Sequence, residues 1–152
     1  MSLTKRALYG ALGGAGATVA LTGMRQVLAR AGLVHESAPE QVVGRLEDLG
    51  LVDDWSKGSR RVLTVAAHFG YGVSIGTILG LLRRARGGTV EEAAVGSALG
   101  LLSWAFNWSA LLPVTGVHEP PWKQRSPKVL LPILDHAFFG AVWGLIFRSR
   151  NS

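Results

Sequence analysis

Two histidines stand inside apolar stretches and are followed by glycines at the same intervals: His68 in "HFGYGVSIG" and His136 in "HAFFGAVWG". Asp135 directly precedes His136, and Glu119 directly follows His118. Two imidazoles and a carboxylate form a donor set that suits Zn, Cu, Fe or Ni, with the carboxylate completing or orienting the shell. Two histidines on facing helices also have the chemistry to ligate a haem. A third use is proton sensing, because histidine charges between about pH 5 and 8 and a new charge in an apolar bundle shifts its packing. The plainest use is structural: each histidine hydrogen-bonds across helices, and Asp135 accepts from a backbone amide or an arginine. This last reading is preferred, and no cofactor is expected. His68, His136, Asp135 and His118 are carried forward as the candidates for a metal, haem or proton site.

Other reaction signatures do not assemble. There is no His-Glu-x-x-His and no P-loop, and the one Gly-x-Ser-x-Gly match, Gly72 to Gly76, lies in an apolar run with no strand before it, so a non-enzymatic protein is expected. "GALGGAG", Gly10 to Gly16, imitates a nucleotide-binding fingerprint but lies in an apolar run with no strand before it. The chain has no cysteine, which removes disulfide, thiol and thiolate-metal chemistry.

The elements that must position these residues are membrane spans. Ala7 to Met24 and Ala93 to Val117 carry no Asp, Glu, Lys, Arg or His, Val62 to Leu82 carries only His68 among these types, and Val129 to Phe147 is broken only by Asp135 and His136. A spanning helix needs about 20 apolar residues. The fold class is therefore all-α: one integral-membrane four-helix bundle over residues 1–152, with spans at about 7–30, 62–82, 92–113 and 128–147. Between the first two, "SAPEQVVGRLEDLG" has capping-box spacing at Ser37 and Glu40. Val42, Val43, Leu46 and Leu49 form one face, so a short amphipathic helix is expected, at the outer membrane surface or packed on the bundle. Thr89 and Glu92 have the same spacing and predict a cap for the third span, while Ser126-Pro127 can cap the fourth, with Pro132 in its first turns.

Charge sets the orientation. With the N-terminus cytoplasmic, the inner segments hold Lys5, Arg6, Arg83, Arg84, Arg86, Arg148 and Arg150 against Glu91 and Glu92. The outer loops hold nearly balanced charge. The inner basic residues are dense and hug the helix ends, which is where the positive-inside bias is read, so N-in/C-in is expected. Membrane lipids are the expected partners of these arginines, and nucleic acid is not needed to explain them.

Four glycine pairs recur at one spacing: Gly10 and Gly14, Gly72 and Gly76, Gly96 and Gly100, Gly140 and Gly144. Each pair follows a bulky residue and, one turn earlier, a polar one: Arg6, His68, Glu92 and His136. Gly-x-x-x-Gly bares the backbone on one helix face so that a neighbour can come close. A pseudo-twofold relation of spans one and two to spans three and four follows, with His68 and His136 at matching positions. Asn107, between Trp104 and Trp108, and Arg25 are expected to act as interhelical polar residues. A homo-oligomer, or a subunit of a larger membrane complex, is expected to form through the glycine faces and the irregular outer loop before the fourth span. An oligomeric channel or small transporter remains an alternative.

The stretch "LLPVTGVHEPPW", followed by "LDHAFFGAVWGLIFR", resembles the YagU-like family of small bacterial inner-membrane proteins. The resemblance lies in Pro113, Gly116, Pro120, Pro121, Trp122 and a final histidine-led aromatic span. "HFGYGVSIGTILGLL" is similar to an earlier span of that family. Asp135 departs from it, since a glycine precedes the histidine there, and the loop after the first span also differs. The resemblance implies location in the bacterial inner membrane and a link to acid tolerance. It implies no reaction and no catalytic residue.

Overall fold

The computed structural model describes residues 1–33, 37–84, 87–124 and 126–150, with 126–128 described by backbone alone. His35, Arg86 and Arg125 lie outside the described residues, as do the side chains of Ser126 and Pro127 on which the expected cap of the last helix rests. Five helices carry the architecture: α1 (Leu3–Arg30), α2 (Ala38–Asp48), α3 (Lys57–Leu82), α4 (Thr89–Val114) and α5 (Ser126–Ser149). Four of them, all but α2, are long and apolar enough to cross a membrane. The chain is a multi-pass membrane protein with an all-helical, four-span bundle.

Local chemistry sets the helix ends. The hydroxyl of Ser2 accepts from the Lys5 amide, and that of Ser56 from the Ser59 amide, opening α1 and α3. Glu40 reaches back to the Ser37 amide at the start of α2. Gly32, Gly50 and Gly116 close α1, α2 and α4 at φ near +73°, +72° and +72°, a left-handed conformation open to glycine at little cost. The expected cap at Thr89 is not formed. Gly88 is the N-cap of α4 and Thr89 is already helical. The Glu92 carboxylate turns instead to the Gly87 amide (2.9 Å) and to Arg83 (2.9 Å). With Gly87-Gly88 as the turn, the backbone reaches Glu92 without help from a threonine.

The spans pack as two hairpins, α1 with α3 and α4 with α5, joined mainly along α1 and α5. Ala17 and Leu21 of α1, Leu79 of α3, and Phe139, Trp143 and Phe147 of α5 form the core. Trp143 and Phe147 stack at 4.9 Å and are almost completely buried. The Trp143 indole N–H, a donor that needs a partner in an apolar interior, donates to the Gly10 carbonyl at 3.2 Å. α2 leans on α3, buries Val43, and places Arg45 over the Thr115–Gly116 turn, where it donates to the Thr115 carbonyl.

Candidate functional site

The glycine faces decide how the polar side chains are placed. A Cβ at Gly10 would overlap the Gly76 carbonyl oxygen and come within 2.9 Å of the Gly80 Cα. At Gly14 it would overlap the Gly72 carbonyl, and at Gly76 the Gly10 carbonyl. At Gly72 it would overlap the Thr18 hydroxyl, and at Gly80 the Arg6 carbonyl. The second hairpin repeats the arrangement: Gly96 meets the Gly140 carbonyl, Gly140 meets that of Gly96, Gly100 meets that of His136, and Gly144 meets that of Glu92. In every case but Gly72 a Cα hydrogen points at a facing carbonyl oxygen, a contact worth roughly 0.5–1 kcal/mol. In lipid no hydrophobic effect drives helices together, and this close approach takes its place.

The same contacts fix the register, and it differs from the one expected. Gly10 fits between Gly76 and Gly80 as Gly96 fits between Gly140 and Gly144. Gly76 therefore corresponds to Gly140, Gly80 to Gly144, and Gly72 to His136. His68 corresponds to Pro132, not to His136. The two histidines are one turn out of step, because α3 carries a third glycine, Gly80, and packs one turn further along. Gly80 is a packing residue outside the four expected pairs, and its four-residue spacing from Gly76 is the sequence signal for it.

Arg6 and Glu92 occupy equivalent positions at the end of the bundle bearing the chain termini, and both are buried. Arg6 donates to the carbonyls of Gly80 (3.1 Å), Leu81 and Arg83 (3.2 Å), so a guanidinium caps the otherwise unsatisfied C-terminal carbonyls of α3. Glu92 ties Arg83 and Gly87 to the start of α4, and Arg148 donates to the Gly87 carbonyl at 3.1 Å. One sequence position thus holds a cation where it meets a helix C-terminus and an anion where it meets a helix N-terminus.

Toward the opposite end all four spans contribute to a polar cluster. Arg25 of α1 pairs with the buried Asp135 of α5. At about 1.5 Å per residue, Arg25 stands about 28 Å along α1 from Arg6, and Asp135 about 20 Å along α5 from Arg148. With a hydrocarbon core of about 30 Å, the cluster occupies the half of the membrane nearer α2. His68 of α3 lies 3.2 Å from the Thr22 hydroxyl of α1. Asn107 of α4 donates from its amide nitrogen to the Tyr71 hydroxyl of α3 (2.8 Å) and to the Ser103 carbonyl (2.7 Å). Tyr71 in turn lies 3.5 Å from His136 Nε2, and His136 Nδ1 lies 2.8 Å from the Pro132 carbonyl. Asn107 opens a π-helical segment, Asn107–Leu111, inside α4. Such bulges are frequent at functional sites.

Of the candidates, Asp135, Arg25, His136, His68 and Asn107 fall in this one cluster. His118 does not. Its ring packs on Trp108 at 4.2 Å, and its Nδ1 meets the Glu119 carbonyl (2.7 Å) and Gln124 (3.0 Å). Among the described residues no three His, Cys, Asp or Glu side chains converge. Both His136 nitrogens already face protein groups. The donor set for a single metal ion is not brought together. In the sequence Tyr71 stands only as the bulky residue before a glycine, and its bridging role depends on a register that spacing alone does not give.

Comparison with known proteins finds no matching family model, no matching curated protein and no matching solved structure.

Proposed function

We propose that this chain is a non-enzymatic accessory protein of the bacterial inner membrane, with both termini cytoplasmic, that works as a partner within a membrane assembly. The observation that carries this reading is how the bundle uses its polar groups. Arg25 is spent on Asp135, Arg6 on the end of α3, Glu92 on the α3–α4 turn, and Asn107 on Tyr71. The glycine faces, expected to meet other chains, are spent on one another within the bundle, which leaves the outer loop as the expected surface for a partner. Groups engaged in this way specify a packing arrangement. Lys5, Arg6, Arg83, Arg84 and Arg148 gather at the end bearing the termini, which the positive-inside bias assigns to the cytoplasm. The resemblance to the YagU-like family agrees with the location and with a role under acid stress.

Two measurements test the reading. The chain lacks cysteine, so Ser2→Cys and Ser37→Cys are clean topology reporters. In intact cells an impermeant thiol reagent should label Cys at position 37 and leave Cys at position 2 unmodified. The accessory role requires a complex larger than one chain when native membranes are gently solubilised and crosslinked. Migration as a lone monomer at native expression levels contradicts it.

A further inference from the structure

The Tyr71 bridge has a property that packing does not require. Because His136 Nδ1 faces a carbonyl oxygen 2.8 Å away, it carries the ring hydrogen, and in the neutral ring Nε2 is a bare acceptor. Both amide hydrogens of Asn107 are committed, one to the Ser103 carbonyl and one to the Tyr71 oxygen, which fixes the direction of that bond. The phenol hydrogen of Tyr71 is then directed to His136 Nε2, at 3.5 Å, a long contact with room to tighten. The Ser103 hydroxyl, which donates to the Gly100 carbonyl at 2.8 Å, is the other hydrogen-bonding neighbour of the Tyr71 oxygen.

From this geometry we propose that His136 Nε2 is a proton-binding site in the half of the bundle nearer α2, and that Tyr71 responds by reversing its hydrogen bond. A proton from the aqueous phase bonds to the Nε2 lone pair, leaving water behind and giving an imidazolium. The new N–H donates to the Tyr71 oxygen, and the phenol hydrogen turns from the ring to the Ser103 hydroxyl oxygen. A charge-assisted bond of this kind shortens to about 2.7–2.9 Å. Tyr71 remains the acceptor of Asn107, so the pull reaches the π-helical start in α4. α3 and α4 do not pack along their lengths, and this bridge crosses the gap between them.

The charged and titratable groups around His136 are few. Asp135 adjoins it on α5 and is neutralised by Arg25 of α1, while α3 brings His68 and Tyr71. The only charged residues of α4 are Glu91 and Glu92, at the far end of the helix. Proton uptake therefore takes the cluster from neutral to +1. This property is independent of the accessory role, and the co-migration experiment does not bear on it.

The test uses the full-length protein in lipid bilayers. Ring-¹⁵N-labelled histidine follows protonation, and isotope-edited infrared spectroscopy of the tyrosine C–O band separates a phenol that donates from one that accepts. The chain has only Tyr9 and Tyr71, and Tyr71→Phe identifies the band. Between pH 8 and 5 the wild-type His136 ring should take up a proton as the Tyr71 band moves from donor to acceptor position. His136→Gln should abolish the band shift. A His136 ring that stays neutral throughout overturns the proposal, as does an unchanged shift in His136→Gln. If that variant fails to fold, the wild-type ¹⁵N titration decides alone.

Discussion

The two hairpins share one backbone contact and differ in what they do with their other faces. In α1–α3 and in α4–α5 the glycines interlock in the same register, from Arg6 opposite Gly80 to Glu92 opposite Gly144. α1, however, has a second bare face. Gly13 accepts the Trp143 indole and Gly16 accepts Ile146, so α1 also packs closely on α5. The positions in α4 that correspond to Gly13 and Gly16 are Leu99 and Leu102, and Leu79 of α3 stands where α5 has Trp143. The contact between α4 and α3 that would complete the symmetry is not made. Pseudo-symmetry is therefore preserved where backbone meets backbone and lost where side-chain volume decides. The gap that results is bridged by Tyr71 and Asn107.

The largest expected effect comes from breaking the tie between the hairpins at the α2 end. Arg25→Ala strands Asp135 in apolar surroundings, and losing one partner of a buried pair costs about 3–5 kcal/mol. Arg25→Leu combined with Asp135→Leu should recover most of that loss. Steric-trap unfolding of the single and double variants in bicelles measures both, and a double variant as unstable as the single would show that the pair does not act alone.

Next come the interlocked glycines. Gly76→Ala and Gly140→Ala, at equivalent positions, should each cost about 1–3 kcal/mol, because a methyl group must be forced into a packed backbone contact. Gly23→Ala and Gly70→Ala, whose Cβ would meet nothing within 4 Å, should be neutral or stabilising by up to about 1 kcal/mol. Equal losses at all four sites would remove the distinction between packed and open glycines.

Gly13→Leu gives α1 the side chain that α4 carries, and so removes the asymmetry directly. We expect a loss of about 1–3 kcal/mol from the displaced Trp143, read as a shift in tryptophan emission that Leu99→Ala does not produce. The smallest effect belongs to Asn107→Leu, which removes hydrogen bonds worth about 1 kcal/mol net to the hairpin gap. Its signature is faster hydrogen exchange in α4 with little change in α1.

The spans were legible in the sequence because charge-free length is a coarse property that survives any packing arrangement. The helix ends at Gly32 and Gly50 were legible too, since each glycine follows an apolar pattern that it terminates. The expected spans began a few residues late, because helices continue past the apolar core into residues such as Lys57 and Thr89. The register was harder to read. Aligning His68 with His136 used the two glycines that follow each of them. Physical contact instead selects Gly72, Gly76 and Gly80, and only the facing helix reveals which glycines are used. The partner of Asp135 was beyond sequence reasoning for the same reason: Arg25 lies 110 positions away, and only the join of α1 to α5 brings them together.

The central claim is that two glycine-interlocked hairpins in the same register build the bundle, and contacts between glycine Cα atoms report on it directly. Protein labelled with ¹³Cα-glycine and reconstituted in bilayers should show solid-state NMR cross-peaks between Gly10 and Gly80 and between Gly96 and Gly144. Cross-peaks joining Gly10 to Gly72, or no glycine contact between α1 and α3, would contradict it.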